Sequence, residues 1–232
     1  MTDRSFDVRI GKYVEPFLKK IGLFQRNIYN PKDHYTKRVK EISRIGSYQE
    51  IYNEVVNTYS YDILLKDGSV FQFHKEDEEE VYRYCFIQNP RMKLSWEDFL
   101  HKIGLEENEE QPISEVMQWQ AYYDNDEDDC FDINNYPVSI RYDASESEYV
   151  EGEHPFSHFH IGIHNDIRIP ISLILTPEMF TEFIVKMVYR KEWLYKKNDN
   201  YFVDFHSSVK KGCKPVIIDF LSDLDKLDLY MK

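Results

Sequence analysis

The feature that most constrains the fold of this chain is a strictly alternating run over residues 156–164. Alternation with a period of two is typical of a half-buried β-strand, because successive side chains point to opposite faces of a sheet. The apolar members of the run share one face, which we expect in the core: Phe159, Ile161 and Ile163. The imidazoles share the other face, around Gly162: His158, His160 and His164. The run therefore predicts a strand with an open, histidine-rich face.

Shorter patterns elsewhere in the chain predict the partners of this strand. An Asp-Gly pair at residues 67–68 separates two runs rich in β-formers, which is the strongest short signal for a hairpin. A third such run closes at Asn89-Pro90, and two more flank the histidine run. The strands expected from these patterns are 61–66, 69–74, 81–87, 138–142 and 167–171.

Apolar residues recurring every three or four positions predict the helices. The clearest begins at Thr176-Pro177, where a capping threonine precedes a proline at the first helical position. The helices that we expect against the sheet are 5–24, 177–193 and 214–230, and a further strand is expected at 201–206. The predicted fold class is α+β, an antiparallel sheet with helices packed on one face.

The chain has 232 residues, which suits one large domain or two small ones. Residues 1–110 hold the N-terminal helices and a three-strand meander. Residues 111–232 hold an acidic segment followed by the region of the histidine strand and its helix. We expect these two parts to form one compact unit.

The net charge of −13 disfavours a nucleic-acid partner, because each phosphate contact needs a cation. The negative charge is concentrated in residues 106–132, which contain eleven acids and no Lys or Arg. This stretch suits either a solvated surface or a partner protein with a basic face. Asp124, Asp126 and Asp128 alternate as in a calcium loop, but the required glycine and final glutamate are missing.

Other sequence features indicate a cytoplasmic protein. No apolar run reaches the roughly 18 residues that a membrane helix needs, and the N-terminus lacks the apolar core of a secretory signal. The three cysteines, Cys85, Cys130 and Cys213, are odd in number and widely spaced. They suit reduced thiols better than disulfides or a zinc site.

The histidine face is the one place where the sequence suggests chemistry, and three interpretations stay open. His158 and His160 could ligate a divalent metal with a carboxylate such as Glu153. They could instead act with Arg168, without a cofactor, as an acid–base and phosphate-binding catalytic set. They could also be a polar sheet face that is merely hydrogen-bonded. Nucleotide-binding loops, GxSxG and HExxH motifs are absent from the sequence.

Four segments of the second half resemble a bacterial family of domains of unknown function, the one numbered 2290. The segments are Arg141-Tyr-Asp143, the run from His154 to Gly162, Arg168 to Ile171, and Leu175 to Phe180. The resemblance carries no assigned activity, and it implies a bacterial context of mobile or phage-defence genes.

Two classes of function follow from these observations. The first is an accessory or sensing subunit that binds another protein in a bacterial intracellular complex, with phage defence as a context. Charge asymmetry, aromatic richness and the missing enzyme motifs favour it. The second is a histidine-dependent phosphodiesterase or ribonuclease of toxin type that uses the His158, His160 and Arg168 side chains.

Overall fold

A computed structural model of the protein describes residues 4–28, 37–76, 81–105, 113–125, 130–134, 136–163 and 167–228. The predicted α+β class is confirmed. The chain forms two compact units, one of residues 1–88 with 138–232 and one of residues 89–137. These bounds differ from the division after residue 110 predicted from the sequence, because the strand at 139–144 pairs with the strand at 81–87. No described helix is long and apolar enough to cross a membrane.

Ten α-helices occur among the described residues. They are α1 (Arg4–Arg9), α2 (Glu15–Ile21), α3 (Lys37–Ile45), α4 (Tyr48–Asn57), α5 (Trp96–Lys102), α6 (Ile113–Asp124), α7 (Pro177–Val188), α8 (Arg190–Lys196), α9 (Asn200–Gly212) and α10 (Asp223–Asp228). A π-helical turn, Ile10–Val14, joins α1 to α2, and Ile218–Phe220 forms a short 3-10 helix. The Oγ1 atom of Thr176 accepts a hydrogen bond from Met179 N and caps α7, as its sequence predicts.

Eleven strands occur in the same described parts of the chain. They are β1 (Phe24–Asn27), β2 (Ile63–Leu65), β3 (Val70–Glu76), β4 (Val81–Ile87), β5 (Arg91–Lys93), β6 (Phe131–Ile133), β7 (Ser139–Ala144), β8 (Ser157–Ile161), β9 (Ile167–Pro170), β10 (Leu173–Ile174) and β11 (Lys214–Pro215). Seven form one antiparallel sheet in the order β1-β2-β3-β4-β7-β8-β9. The predicted sharing of one sheet by 138–142, the histidine strand and 167–171 is therefore confirmed.

Two predictions for the C-terminal region are wrong. The predicted strand at 201–206 is part of α9, because Asp199 caps a helix whose Phe202, Phe205 and Val209 all point into the core. The predicted helix over 214–230 is instead a short strand, a 3-10 turn and α10. Lys214 and Pro215 pair instead with Ile174 and Leu173 of β10, so the segment begins as a strand.

The main core lies on one face of the large sheet. Tyr84, Phe86 and Tyr142 project from β4 and β7 toward Phe180 of α7 and Phe17 of α2, and all five are completely buried. A smaller apolar cluster lies on the opposite face, where α3 and α4 cover one end of the sheet. Its buried members are Ile42, Ile51, Val55, Tyr61, Val70, Cys85 and Ile87. The rest of that opposite face carries the polar residues of the histidine strand.

The smaller unit is organised around aromatic rings. Strands β5 and β6 pair antiparallel. Phe99 of α5 is fully buried, and its ring contacts the rings of Trp96, Trp119, Tyr122 and Tyr123. Part of the acidic stretch is thus the packed helix α6. Residues 106–112 and 126–129, with two of the calcium-like aspartates, lie outside the described residues.

Candidate functional site

Strand pairing brings the polar residues of β7, β8 and β9 onto one face of the sheet. In the β7–β8 register, Asp143 lies opposite His158 and Arg141 lies opposite His160. In the β8–β9 register, Arg168 lies opposite His160. Because side chains alternate along a strand, all five project to the face opposite the main core. Antiparallel pairing therefore gathers two imidazoles, one carboxylate and two guanidinium groups.

Three of these side chains converge on one point. His158 Nε2 lies 2.9 Å from His160 Nε2, and His160 Nε2 lies 3.2 Å from Asp143 Oδ2. One ligand atom from each of the three residues lies within 4.8 Å of the other two. His158 and His160 are each 1% exposed and Asp143 is 3% exposed. The cluster is a buried set of three potential metal-ligating groups.

The position of the proton on His158 follows from its backbone contact. His158 Nδ1 lies 2.8 Å from the carbonyl oxygen of Pro155. A carbonyl can only accept, so Nδ1 carries the proton and Nε2 presents its lone pair to the cluster. Burial, with the neighbouring His160, lowers the pKa of His158 to about 3, so this ring is neutral. Such a second hydrogen bond to a carbonyl is the arrangement that orients histidines in metal sites.

Asp143 is held as a carboxylate. Burial opposes its ionisation, but the hydrogen bond with His160 and the charge of Arg141 outweigh burial and lower the pKa of Asp143. Arg141 binds Oδ2 through Nε at 2.9 Å and Nη2 at 2.7 Å. Oδ1 is buried and has no hydrogen-bond partner among the described residues. An unsatisfied buried oxygen in a native fold calls for a physical explanation.

A third imidazole stands beside the cluster without joining it. The ring of His154 packs edge-on against His158, with 4.7 Å between ring centroids. Its Nδ1 is buried and has no hydrogen-bond partner among the described residues. Burial, followed by the charge of Arg168, lowers the pKa of His154.

The strand ends at Gly162, which has φ +90°, a conformation that favours glycine. A Cβ atom added there would meet nothing within 4 Å. A cavity of about 50 Å³ lies at this end of the face, lined by Gly162, Arg141 and Ser139 among others. Open space therefore lies beside Gly162, next to the guanidinium of Arg141 that holds Asp143.

The predicted site residues occupy different environments in the structure. His158 and His160 share one face as expected, but they are buried, so the expectation of an open histidine face is wrong. Pro155 and His154, which precede β8, contact the ring of His158. Arg168 is exposed, opposite His160. Glu153 is exposed and outside the cluster, and the carboxylate beside the imidazoles is Asp143. His164 lies outside the described residues.

Sequence reasoning missed Asp143 because its place beside the histidines depends on the register between β7 and β8. The alternation of Arg141 and Asp143 in the run before the histidine strand was the available signal. It becomes informative only once Asp143 is known to stand opposite His158.

The loop that leads to His154 is fastened by a second carboxylate. Asp225 of α10 is 1% exposed and accepts hydrogen bonds from Tyr149 Oη at 2.7 Å, Gly152 N at 2.8 Å and Ser222 N at 2.9 Å. Burial opposes ionisation of Asp225, but these bonds outweigh it and lower its pKa. The C-terminal segment thus sets the conformation of the loop over the site.

Replacing Asp225 with alanine is expected to reduce the free energy of unfolding by about 2–3 kcal/mol, because buried N–H donors lose a charged acceptor. The matched control is Asp223→Ala, whose side chain is fully exposed and which should leave the unfolding midpoint unchanged. Because the pKa of Asp225 is lowered in the folded protein, the stability that the wild type gains from this carboxylate should be complete above the ordinary aspartate pKa. This gain in stability should shrink as the pH falls through the lowered pKa. Urea unfolding of both variants at several pH values measures this, and equal midpoints would contradict it.

Together these features define an α+β protein with a buried centre of two histidines and one aspartate. The profile of the family described as "Uncharacterized conserved protein (DUF2290)" matches residues 24–221, and the chain belongs to that family. The family predicted from the sequence motifs is therefore confirmed. Searches of curated proteins and of solved structures gave no match.

Proposed function

We propose that the protein binds a divalent transition-metal ion through Asp143, His158 and His160 and uses it to hydrolyse a small phosphodiester. The observation that carries the proposal is the convergence of three ligating groups within 4.8 Å in a buried position. Two imidazoles and one carboxylate are the ligand set of many Zn²⁺, Fe²⁺ and Mn²⁺ sites, and such sites leave further positions for water or substrate. Oδ1 of Asp143, which has no hydrogen-bond partner in the described part of the chain, would then have a cation to bind.

The surroundings of the three residues support metal binding over a simple hydrogen-bonded cluster. The Pro155 carbonyl directs the lone pair of His158 inward, and Arg141 fixes the orientation of Asp143. These contacts are the outer-shell bonds that metal ligands usually make. An ion held in this way would polarise a phosphoryl oxygen and activate water for attack.

The cations near the cluster favour an anionic substrate. Arg168 is exposed opposite His160, and its charge acts on His154. A phosphodiester at this side would have its negative charge compensated by Arg168 and by the ion. His154 lies beside His158, and its Nδ1 has no hydrogen-bond partner among the residues that the structure describes. It would exchange a proton with the leaving group or with water. The net charge of −13 favours a small ester over a nucleic-acid polymer.

Metal binding is tested by thermal unfolding of the chelated protein with added Zn²⁺, Mn²⁺ or Co²⁺. At a metal concentration about 100-fold above the dissociation constant, binding should stabilise the fold by about 2.7 kcal/mol. Asp143→Asn should lose this stabilisation, and the matched control Asp223→Asn should keep it. Hydrolysis of bis(4-nitrophenyl) phosphate, with and without metal, tests the activity. Absence of any metal-dependent shift in the wild type, or an equal shift in Asp143→Asn, would refute the proposal.

A second candidate function is that of an accessory or sensing subunit in a cytoplasmic bacterial complex, such as one for phage defence. The observation that favours it is the exposure of large apolar side chains in the smaller unit. They include Met92, Met117, Ile133 and Tyr136, which are 51%, 67%, 66% and 87% exposed. Exposed apolar side chains such as these are available for contact with another protein. Co-purification with the products of neighbouring genes, lost in an Ile133→Glu variant and kept in a Val203→Glu control, would support this candidate.

A further inference from the structure

A cavity of about 200 Å³ lies on the other side of the large sheet from the histidine cluster. Tyr82 and Tyr84 of β4 line it. They alternate with Arg83, which pairs with Asp143, so they project to the opposite face. The start of α7, the end of α9 and Arg9 of α1 form the other walls. The cavity is therefore separate from the candidate metal site.

The charge of this cavity differs in sign from that of the whole protein. Arg9, Lys75 and Lys214 are among the residues that line it, and none of the described lining residues is an acid. The protein as a whole carries a net charge of −13. Arg9 among them is paired with the carboxylate of Glu178, which is buried behind it and does not line the cavity. The side chains that face the space are therefore basic or uncharged, which favours binding a negative group.

Arg9 is held in place while keeping a free edge. Its Nε and Nη2 bind the carboxylate of Glu178, whose side chain is 3% exposed, and its own side chain is 39% exposed. This pairing orients the guanidinium, and Nη1 has no acceptor among the described residues. Glu178 thus fixes Arg9 as a wall of the cavity.

The start of α7 also borders the cavity. Thr176 and Pro177, the N-cap and first residue of this 12-residue helix, line it. A helix N-terminus carries a partial positive charge that stabilises a nearby anion. Glu178 of the same turn offsets part of this charge, and its carboxylate is engaged by Arg9.

The remaining walls suit a small organic group. The ring of Tyr82 is half-buried and offers an apolar face, with Lys75 Nζ at 5.8 Å from its centroid. Gly212 forms another wall, where an added Cβ would already lie 3.5 Å from Arg9 Nη2. A larger side chain at this position would reduce the space. The volume is below the roughly 300 Å³ at which drug-sized pockets begin, so the guest is small.

We propose that this cavity binds a small phosphomonoester of about the size of a sugar phosphate. The phosphate lies at the start of α7 between Arg9 and Lys214, and the organic part lies against Tyr82. The inference stands independently of the hydrolytic function, because the two sites share no residue and occupy opposite faces of the sheet.

Isothermal titration with ribose 5-phosphate, ribose and inorganic phosphate tests this inference. The wild type is expected to bind ribose 5-phosphate, to bind phosphate more weakly, and not to bind ribose. The double variant Lys75→Gln, Lys214→Gln should weaken binding by about tenfold or more, because two charge-assisted contacts are lost. Gly212→Val should weaken it by filling the space, and the exposed control Lys191→Gln should have no effect.

Unfolding midpoints of all variants confirm that each is folded under the conditions of titration. Absence of binding by the wild type at 10 mM ligand, a concentration on the order of the weakest useful affinities, would overturn the inference. Equal affinity in the double lysine variant would also overturn it. Loss of binding in Asp143→Asn, with the lysine variants unaffected, would assign the phosphate to the histidine site instead. Unchanged binding in Asp143→Asn supports an independent site.

Discussion

Replacing Phe180 with alanine is expected to lower the free energy of unfolding by about 3–5 kcal/mol, the usual cost of deleting a buried phenylalanine. Phe180 is 0% exposed and lies where α7 meets the centre of the sheet. Its ring centroid lies 5.8 Å from that of Tyr84, 6.2 Å from that of Phe71 and 6.4 Å from that of Phe159. The cavity left behind would be surrounded by rigid rings that cannot collapse to fill it.

Two other residues on α7 serve as controls for this prediction. The helical spacing of residues 177–193 predicts an equal cost for Phe183. In the structure, however, Phe183 is only half-buried and stacks on Phe159 with 4.7 Å between ring centroids. Its replacement by alanine should therefore cost clearly less than that of Phe180. The same spacing predicts Met187 on the buried face, but this residue is 55% exposed and should tolerate alanine. Urea unfolding of the three variants measures the order, and equal costs for Phe180 and Phe183 would contradict it.

Replacing both His158 and His160 with glutamine is expected to abolish metal-dependent stabilisation and to reduce phosphodiester hydrolysis by at least about 100-fold. Loss of an outer-shell partner alone commonly costs 10–100-fold in metal affinity or activity, and here two ligands are removed. Metal content of the purified variant and hydrolysis of bis(4-nitrophenyl) phosphate give the two readouts. The control is His101→Gln, an exposed histidine on α5.

Measuring stability in the absence of metal distinguishes the loss of metal binding from the loss of a structural role of the two histidines. Because His158 and His160 are each 1% exposed, their replacement should also lower stability in the presence of a chelator. If the two histidines lay on a face open to solvent, the unfolding midpoint of the double variant would instead stay within a few degrees of the wild-type value. The metal-dependent shift is therefore compared between variants, each relative to its own chelated state. A double variant that retains both the shift and the activity would remove these histidines from the proposed site.

Local signals in the sequence determined much of the sheet and of helix α7. The alternation of residues 157–161, the Asp-Gly turn and the Thr176-Pro177 cap each act within a few residues of chain. Their physical basis is the pleat of a strand, the backbone of a tight turn and the first N–H groups of a helix. Such features need no knowledge of distant residues.

Tertiary structure alone decided the features that depend on pairing between distant segments. Asp143 joins His158 only through the β7–β8 register, and the burial of both comes from packing that alternation cannot reveal. Residues 201–206 alternate weakly, yet they form a helix because Phe202 and Phe205 fit against Phe17 of α2. Local preference differs between helix and strand by about 1 kcal/mol per residue or less, whereas burying one aromatic ring is worth more. Long-range packing therefore outweighs local preference wherever the local pattern is short.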